Sequence, residues 1–531
     1  MKPCLPRTLS VLLVLLAAAI PALADVKLHG LFTDHMVLQR DASVPIWGWA
    51  DEGEKVTVEF QGQKVSTKAR QGKWMVRLKN LKTGPAATLK VTGKNTLTLN
   101  DVLVGEVWIA SGQSNMEWSM RASHDPTNEI AKTTNPLLRL YTVPKLKSNQ
   151  PVDNVPASWQ PCNPETTPGF SAVAYYFARD LAAALKVPVG IIHTSWGGSP
   201  CEVWIREGVL AGDKEFKRDI LDPYARNLPA TQAALAKWRE AKAEAARTGA
   251  RFTQREPRPW QPSELYNGMI APLIPYAIRG AIWYQGESNA SRAHQYRRLF
   301  PTMVQNWRDD WDQGDFTFLQ VQLAPFKDYK PQPGDSDWAE LREAQNHAMD
   351  VLPNVGVAVI TDVGEEKDIH PRRKEPAGAR LALAARHIAY GQDIVHSGPV
   401  FRSMKVKDGQ AILKFDHTGG GLVVGQASPR VGETDAPRGT LNYLAVSGRL
   451  EPPLTGFAVC GKDRQWIWAN ASIEGNTVVV SHPSVPKPVA VRYGWADFPV
   501  ANLWNAHGLP ASPFRTDDFP RITAPKPAPK K

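Results

Sequence analysis

Cysteine is scarce in this sequence, which contains four cysteines among 531 residues. Cys4 lies in an N-terminal segment that we expect to be removed, so Cys162, Cys201 and Cys460 remain. An odd number leaves at least one thiol unpaired within the chain. An exported compartment would permit a Cys162–Cys201 disulfide, but the sequence alone does not establish one. None of the cysteines has metal-ligand spacing, which argues against a cysteine-bound metal centre.

Beyond the N-terminus, the sequence has no stretch that is long and apolar enough to cross a bilayer. Lys2 and Arg7 precede a short apolar run, 9–20, and Ala22-Leu23-Ala24 follows it. This order is typical of a secretory signal with its cleavage site. We therefore expect residues 1–24 to be a signal peptide. The mature protein is predicted to be secreted or periplasmic, without membrane contact.

Clustered positive charge is also missing, although the formal net charge is +11. Part of the excess lies in the signal and in the Pro-rich tail 525–531, which is predicted to be disordered. Nucleic-acid-binding surfaces usually concentrate Lys and Arg on one face, so we expect no nucleic-acid partner. His and carboxylate residues lack metal-ligand spacing, and we expect neither a metal nor another cofactor.

The hydrophobic pattern that is present changes twice along the chain. In 25–100, short runs of alternating apolar and polar residues between turns predict a small β-sandwich. In 101–395, apolar strands alternate with helical stretches, which predicts an α/β domain with a parallel sheet and helices on both faces. In 396–524, short strand patterns return and predict a second β-rich accessory region, sandwich-like or jelly-roll-like. How the two β-rich regions pack is left open.

Within the central region, one polar segment interrupts the strand–helix alternation. Residues 231–250 are rich in Ala, Lys and Glu, which predicts a solvated helix, with a lid over the site as the alternative. The predicted strands are 102–110, 189–193, 278–284, 316–323 and 355–361, and the predicted helices are 171–185, 292–308, 338–352 and 376–390.

Four polar segments follow predicted strands of the central sheet. They contain Ser114, the turn Ser195-Trp196-Gly197-Gly198-Ser199-Pro200, the segment Gln285-Gly286-Glu287-Ser288-Asn289, and Asp368-Ile369-His370-Pro371. Each taken alone is more often a plain turn or a helix cap. Because sites in parallel sheets gather at the carboxyl ends of the strands, we expect the four segments to share one site.

Together these segments contain the groups required for acyl transfer. Ser114 is the candidate nucleophile, His370 the base that accepts its proton, and Asp368 the acid that orients the imidazole. The backbone N–H groups of Ser114 and Gly198, with the side-chain amide of Gln285, are the candidate oxyanion donors. The residues expected to contact the substrate are Asn115, Trp196 and Asn289.

Three motifs in this sequence resemble the sialate O-acetylesterase family of the SGNH hydrolases. They are Gly112-Gln113-Ser114-Asn115-Met116, the segment from Trp283 to Asn289, and Asp368-Ile369-His370-Pro371. Similar segments at 34–40, 266–270 and 508–515 extend the resemblance over nearly all of the mature chain. The resemblance implies a flavodoxin-like catalytic core, β-rich accessory regions and a metal-free esterase that removes O-acetyl groups from sugars.

The sequence departs from the wider superfamily pattern at three points. Gln113 precedes the serine where many SGNH enzymes have Asp. Asp368 and His370 are two residues apart instead of three, and Gln285-Gly286-Glu287 replaces a Gly-x-Asn motif. Glu287 therefore stands as an alternative acid to orient His370, or the two carboxylates share that role.

The acetylated sugar is left open by the sequence. The resemblance implies acetylated sialic acids, or acetylated plant polysaccharides such as xylan and xyloglucan. We favour plant cell-wall polysaccharide, because the sequence shows no cationic pocket dedicated to the sialate carboxylate. Esterases for non-sugar substrates fit less well, since Trp118, Trp196, Trp204 and Trp283 would suit stacking on sugar rings. The alternative outside catalysis is a secreted carbohydrate-binding protein, against which the complete Ser, His and acid set argues.

Overall fold

The structure is a computed structural model that describes residues 25–257, 259–426 and 453–525. The predicted signal peptide, 1–24, lies outside the described residues, as does the predicted tail after its first residue. The described part is a mixed α/β fold with a large mixed sheet, helices, and β-rich regions before and after it.

The N-terminal region consists of short strands that pair mostly antiparallel. β3 pairs with β1 and β6, while β4 pairs with β5 and β7. Trp74, Val76 and Leu78 alternate as buried residues along β6, which confirms the predicted half-buried strand. The strands are β1 (Lys27–Leu28), β2 (Val37–Gln39), β3 (Val44–Trp49), β4 (Lys55–Phe60), β5 (Gln63–Lys68), β6 (Lys73–Leu78), β7 (Ala87–Thr92) and β8 (Thr96–Gly112).

Strand β8 is longer than predicted and belongs to both regions. Its first part pairs with β7, and its second part enters the central sheet. The predicted boundary after residue 100 therefore falls within a continuous strand. The other strands of the central region are β9 (Asn135–Thr142), β10 (Gln160–Cys162), β11 (Val189–Ser195), β12 (Gly280–Tyr284), β13 (Thr317–Val321) and β14 (Val355–Ala358).

The central strands form a parallel array in the order β9-β11-β8-β12-β13-β14, with β10 antiparallel at one edge. Every residue of β11 and β12 is buried, as expected for strands covered on both faces. Side chains of β8 alternate between two apolar clusters: Trp108 packs with helices α3 and α9, and Ile109 packs with helices α7 and α8. The predicted parallel sheet with helices on both faces is thus present.

The helices of the central region follow the predicted pattern closely. Helix α3 begins after Ser171, whose side chain accepts a hydrogen bond from the N–H of Ala174 and so satisfies an otherwise free donor. The helices are α1 (Ser114–Glu117), α2 (Pro126–Ala131), α3 (Ala172–Leu185), α4 (Glu207–Gly212), α5 (Lys214–Phe216), α6 (Asp222–Thr248), α7 (Ala293–Trp311), α8 (Asp337–Val351) and α9 (Glu375–Ile388). Short 3₁₀ turns cover Met120–Ala122, Cys201–Trp204, Ala271–Leu273 and Glu287–Arg292, and π turns cover Lys217–Leu221 and Tyr266–Ile270.

Helix α6 has no buried residue and includes most of the predicted solvated helix 231–250. Because none of its side chains is buried, contact with the core does not hold it in place. None of the helices in the described part of the chain combines the length and apolar character that a membrane span requires.

The C-terminal region has an apolar core of its own, and ion pairs join it to the central region. Arg492 pairs with Asp335 at 2.9 Å, and Arg515 pairs with Glu343 of α8 at 3.1 Å. Its strands are β15 (Val400–Lys407), β16 (Gln410–Asp416), β17 (Leu422–Val424), β18 (Phe457–Cys460), β19 (Ile467–Trp468), β20 (Asn470–Glu474), β21 (Thr477–Ser481), β22 (Ala490–Tyr493), β23 (Leu503–Asn505) and β24 (Phe514–Arg515).

The three cysteines that the structure describes are buried free thiols. The thiol of Cys162 donates to the carbonyl of Thr133 at 3.1 Å, and the sulfur of Cys201 lies 3.7 Å from that of Met303. The disulfide that the sequence permitted between Cys162 and Cys201 is therefore not formed. The three thiols are buried at separate places in the structure.

A buried carboxylate ties the N-terminal region to the central sheet. Glu106 of β8 is fully buried and pairs with Arg40, which follows β2. Arg279, just before β12, donates to Glu106 at 3.0 Å, and Gln39 donates to it at 2.9 Å. Paired and hydrogen-bonded charges of this kind tolerate burial, whereas breaking one pair leaves uncompensated charge.

We predict that Glu106→Gln lowers the free energy of unfolding by about 3–5 kcal/mol, because two arginines lose their counter-charge. Chemical denaturation followed by tryptophan fluorescence measures the change. Glu59→Gln is the matched control, because Glu59 forms an exposed pair with Lys64, and its loss should cost less than about 1 kcal/mol. Equal changes in the two variants would contradict this role of Glu106.

Candidate active site

The turn at the carboxyl end of β8 brings Ser114 out of the sheet. Gly112 has a φ of 139°, and a Cβ atom there would lie 2.2 Å from the carbonyl oxygen of Tyr284 at the end of β12. A glycine is required for this close approach. The N–H of Gln113 then donates to that carbonyl at 3.0 Å, and helix α1 begins at Ser114. The strand predicted before Ser114 is thus present, and a sharp turn and a short helix follow it.

His370 lies within hydrogen-bonding distance of the serine, with His370 Nε2 2.8 Å from Ser114 Oγ. It belongs to the loop between β14 and α9. In the same loop, Asp368 Oδ1 accepts the backbone N–H of His370 at 2.8 Å and lies 3.5 Å from its Nδ1. The second distance exceeds an ordinary hydrogen bond, but catalytic contacts often shorten when substrate binds. The three predicted residues thus stand in nucleophile, base and acid order.

The pKa of His370 is lowered, first by burial and then by the positive charge of Lys374, while Asp368 opposes the shift. A lower pKa keeps the imidazole neutral around pH 7, the form that accepts the proton of a serine hydroxyl. The indole of Trp118 stacks on the imidazole at 5.1 Å between ring centroids, which restricts the ring's orientation.

The paired glycines after β11 lie directly against the serine. A Cβ on Gly197 would lie 3.3 Å from the Cβ of Ser114, and the N–H of Gly197 donates to Glu117 of α1 at 2.6 Å. Gly198 has a φ of 76° and faces open space. Within the described residues, the N–H groups of Ser114 and Gly198 have no acceptor, so both are available to an oxyanion.

Gln285 and Asn289 are buried beneath the site, which argues against the roles predicted for them. Gln285 Nε2 donates to the carbonyl of Ser199 at 3.3 Å and to Asn289 Oδ1 at 2.7 Å. Asn289 also accepts the N–H of Cys201 and donates to Glu202. Their amide N–H groups thus donate within the protein and help to hold the glycine turn, and neither side chain is exposed.

Asn115, which the sequence predicted to contact the substrate, is likewise only 1% exposed. Its Nδ2 donates to Glu287 Oε1 at 2.6 Å and to the carbonyl of Ile369 at 3.0 Å, while its Oδ1 accepts from Lys374. Burial raises the pKa of Glu287. Of the two candidate acids, Asp368 lies beside His370 Nδ1, whereas Glu287 bonds to Asn115.

Trp196 is half-buried and directly precedes the turn formed by Gly197 and Gly198. The Nζ atoms of Lys145 and Lys147 each lie 5.4 Å from its ring centroid, a cation–π distance. Lys145 pairs with Glu117 at 2.5 Å and Lys147 pairs with Glu264 at 3.1 Å. The sequence analysis missed these lysines, because they lie in an irregular segment after β9 without any motif.

The other tryptophans considered for sugar stacking divide into two kinds. Trp204 and Trp283 are fully buried in the apolar core, so they cannot contact a sugar ring. Trp118 packs on the imidazole of His370 instead. Among the described residues, no group of three or more His, Cys, Asp or Glu side chains is arranged to hold a metal ion.

Comparison with known proteins decides the family. The family model for "carbohydrate esterase, sialic acid-specific acetylesterase" matches residues 104–385, more than half of the chain. The chain belongs to this family. It is accordingly a carboxylic ester hydrolase, which agrees with the enzymatic interpretation of the sequence and not with the non-catalytic alternative.

Two kinds of relative support the assignment. A solved carbohydrate acetylesterase from Xanthomonas citri is 37% identical with a TM-score of 0.78, and the match covers 93% of this chain and all of that one. Sialate O-acetylesterase from Rattus norvegicus is 28% identical over 96% of this chain and 98% of its own. The human sialate O-acetylesterase is 28% identical over 90% of both chains.

We predict that Gly197→Ala lowers kcat about tenfold or more, because its methyl group would press on Ser114 and on Glu117. Misplacement of reacting groups by about 1 Å can cost about 100-fold in rate. Initial rates with p-nitrophenyl acetate measure the effect on the enzyme. Gly212→Ala is the control, since a Cβ there meets no atom within 4 Å. Full activity in Gly197→Ala would show that the turn tolerates displacement.

Proposed function

We propose that the enzyme hydrolyses O-acetyl esters of sugars, with Ser114 as the nucleophile and His370 as the general base. The observation that carries the proposal is the 2.8 Å contact between Ser114 Oγ and His370 Nε2, beside two free backbone N–H groups. Asp368 orients the imidazole in this proposal, and the N–H groups of Ser114 and Gly198 bind the oxyanion. Trp196 is the proposed wall of the sugar site.

The proposed reaction has two half-reactions. Ser114 Oγ attacks the acetyl carbonyl while His370 takes its proton, and the resulting oxyanion accepts hydrogen bonds from the two N–H groups. When the tetrahedral intermediate collapses, His370 protonates the leaving sugar hydroxyl. Water then attacks the acetyl-serine by the same route, and acetate and free Ser114 result.

For the substrate, O-acetylated sialic acid is the better-supported choice, ahead of neutral plant polysaccharide. The mammalian relatives are named for sialate. The preference for plant polysaccharide rested on the lack of a cationic pocket in the sequence, yet Lys145 and Lys147 flank Trp196. Glu117 and Glu264 already pair with these lysines, so the choice of sialate rests on the names of the relatives and not on an unpaired cation. Secretion or periplasmic location remains a prediction from the N-terminal sequence.

We expect the mature enzyme to release acetate from O-acetylated sialic acid, and Ser114→Ala and His370→Ala each to abolish this release while the fold is retained. The substrate preference is measured as the rate of acetate release from acetylated sialic acid, xylan, xyloglucan and pectin. Near-wild-type turnover in either variant would contradict the mechanism. Release from xylan or xyloglucan but not from sialic acid would reverse the choice of substrate.

The two candidate acids can be compared directly. We predict that Asp368→Asn lowers kcat by about 10²–10⁴-fold, because His370 loses the carboxylate that orients it. Glu287→Gln should cause a smaller fall, since Glu287 bonds to Asn115 and not to His370. Stopped-flow or steady-state rates on one substrate, with circular dichroism of both variants, make the comparison. A larger loss in Glu287→Gln would assign the role to Glu287, and equal losses would mean that the two share it.

A further inference from the structure

Two buried side chains, Lys374 and Asn115, and the half-buried Glu287 form a continuous polar link behind the proposed catalytic pair. Lys374 Nζ donates to Asn115 Oδ1 at 2.5 Å, and Asn115 Nδ2 donates to Glu287 Oε1 at 2.6 Å. Lys374 is 2% exposed, so solvent does not share its charge. A buried ammonium is costly unless it is paired and hydrogen-bonded, so the link accounts for the presence of the lysine there.

The link joins chain segments that are far apart in sequence. Asn115 directly follows Ser114, Glu287 follows β12, and Lys374 immediately precedes α9. Asn115 also holds the carbonyl of Ile369, the residue before His370, at 3.0 Å. The position of the His370 loop relative to the serine therefore depends on this amide.

Lys374 also contacts the aromatic surroundings of His370. Its Nζ lies 5.5 Å from the ring centroids of both Trp118 and Tyr284. Trp118 in turn stacks on His370 with an interplanar angle of 18°. The lysine thus supports one face of the stack that limits movement of the imidazole.

We infer that Lys374 is a positioning residue, which fixes the His370 loop against Ser114 through Asn115 and places a buried cation beside the aromatic stack on His370. The inference rests on the proposed function, because it assumes that Ser114 and His370 carry the reaction. Lys374 itself touches no reacting atom.

The charged groups around Lys374 and His370 determine how Lys374 affects protonation of His370. Lys374 faces Glu287, Glu365 and Asp368, and His370 faces Lys374 and Asp368. Burial lowers the pKa of Lys374 to about 7, against the opposing effect of the three carboxylates. Below that pH the lysine is charged, in the range where His370 would take up a proton. Two neighbouring cations disfavour each other, so protonation of His370 is displaced to lower pH.

In Lys374→Met, we expect the acidic limb of the kcat/KM profile to move to higher pH by about half to one unit, because His370 loses its neighbouring cation. kcat at the optimum should fall while KM changes little, because the His370 loop loses its anchor. p-Nitrophenyl acetate is the substrate, and the mature full chain is used. A melting curve verifies that the variant is folded.

Two further variants separate the charge of Lys374 from its link. Lys367→Met removes an exposed lysine of the same loop, which pairs with Asp328, and should keep the wild-type profile. Asn115→Leu breaks the link while retaining the lysine, so kcat should fall with less movement of the acidic limb. Lys367→Met tests whether losing any positive charge moves the acidic limb, and Asn115→Leu tests whether losing the link alone lowers kcat.

An unshifted acidic limb in folded Lys374→Met, while Ser114→Ala is inactive, would overturn the inference and leave the proposed function intact. Activity in Ser114→Ala would overturn the proposed function itself. If Lys374→Met does not fold, an unchanged kcat in Asn115→Leu would still overturn the positioning role. A lower kcat in Asn115→Leu, with Ser114→Ala inactive, would support the positioning role.

Discussion

The pairing of β8 with both of its neighbours determines where the reactive groups lie. Gly112, its last residue, pairs with Ser195 of β11 on one side and with Tyr284 of β12 on the other. The three segments that follow these strands must therefore leave the sheet side by side. The close approach at Gly112 leaves no room for a side chain. The serine turn, the glycine turn and the segment 285–289 are thus brought together by backbone register, before any side-chain contact is considered.

Much of the fold was predictable, because apolar strands buried on both faces differ clearly from the amphipathic helices between them. Strand β9 was not predicted, and Arg139 explains why. This arginine interrupts the apolar run of the strand, and its charge is satisfied by Asp101 at 2.9 Å. Because Asp101 is distant from Arg139 in sequence, the residues around Arg139 do not indicate that its charge is paired. The full length of β8 was not predicted either. Its first part pairs with β7 and alternates between exposed and partly buried residues, whereas its second part lies in the central sheet and is buried throughout.

The grouping of Ser114, His370 and Asp368 was predictable from the sequence, but the residues that support them were not. Ser114, His370 and Asp368 stand at strand ends, and their chemistry restricts the roles that they can have. An amide such as that of Gln285 looks the same in sequence whether it faces a substrate or holds a buried turn. Only three-dimensional contacts with distant segments distinguish the two. Lys374 follows two arginines, a setting typical of surface charge, and nothing local indicates that it is buried.

The separate thiols have a consequence for where the chain can fold. Thiol–disulfide exchange requires a thiolate, and burial raises the pKa of Cys162 and Cys460 to about 11 and that of Cys201 well above its usual range. The described structure therefore depends on neither oxidant nor reductant. Its three thiols stay unpaired in an oxidising compartment as well as in a reducing one, so the fold of the described residues is independent of the redox state of its surroundings.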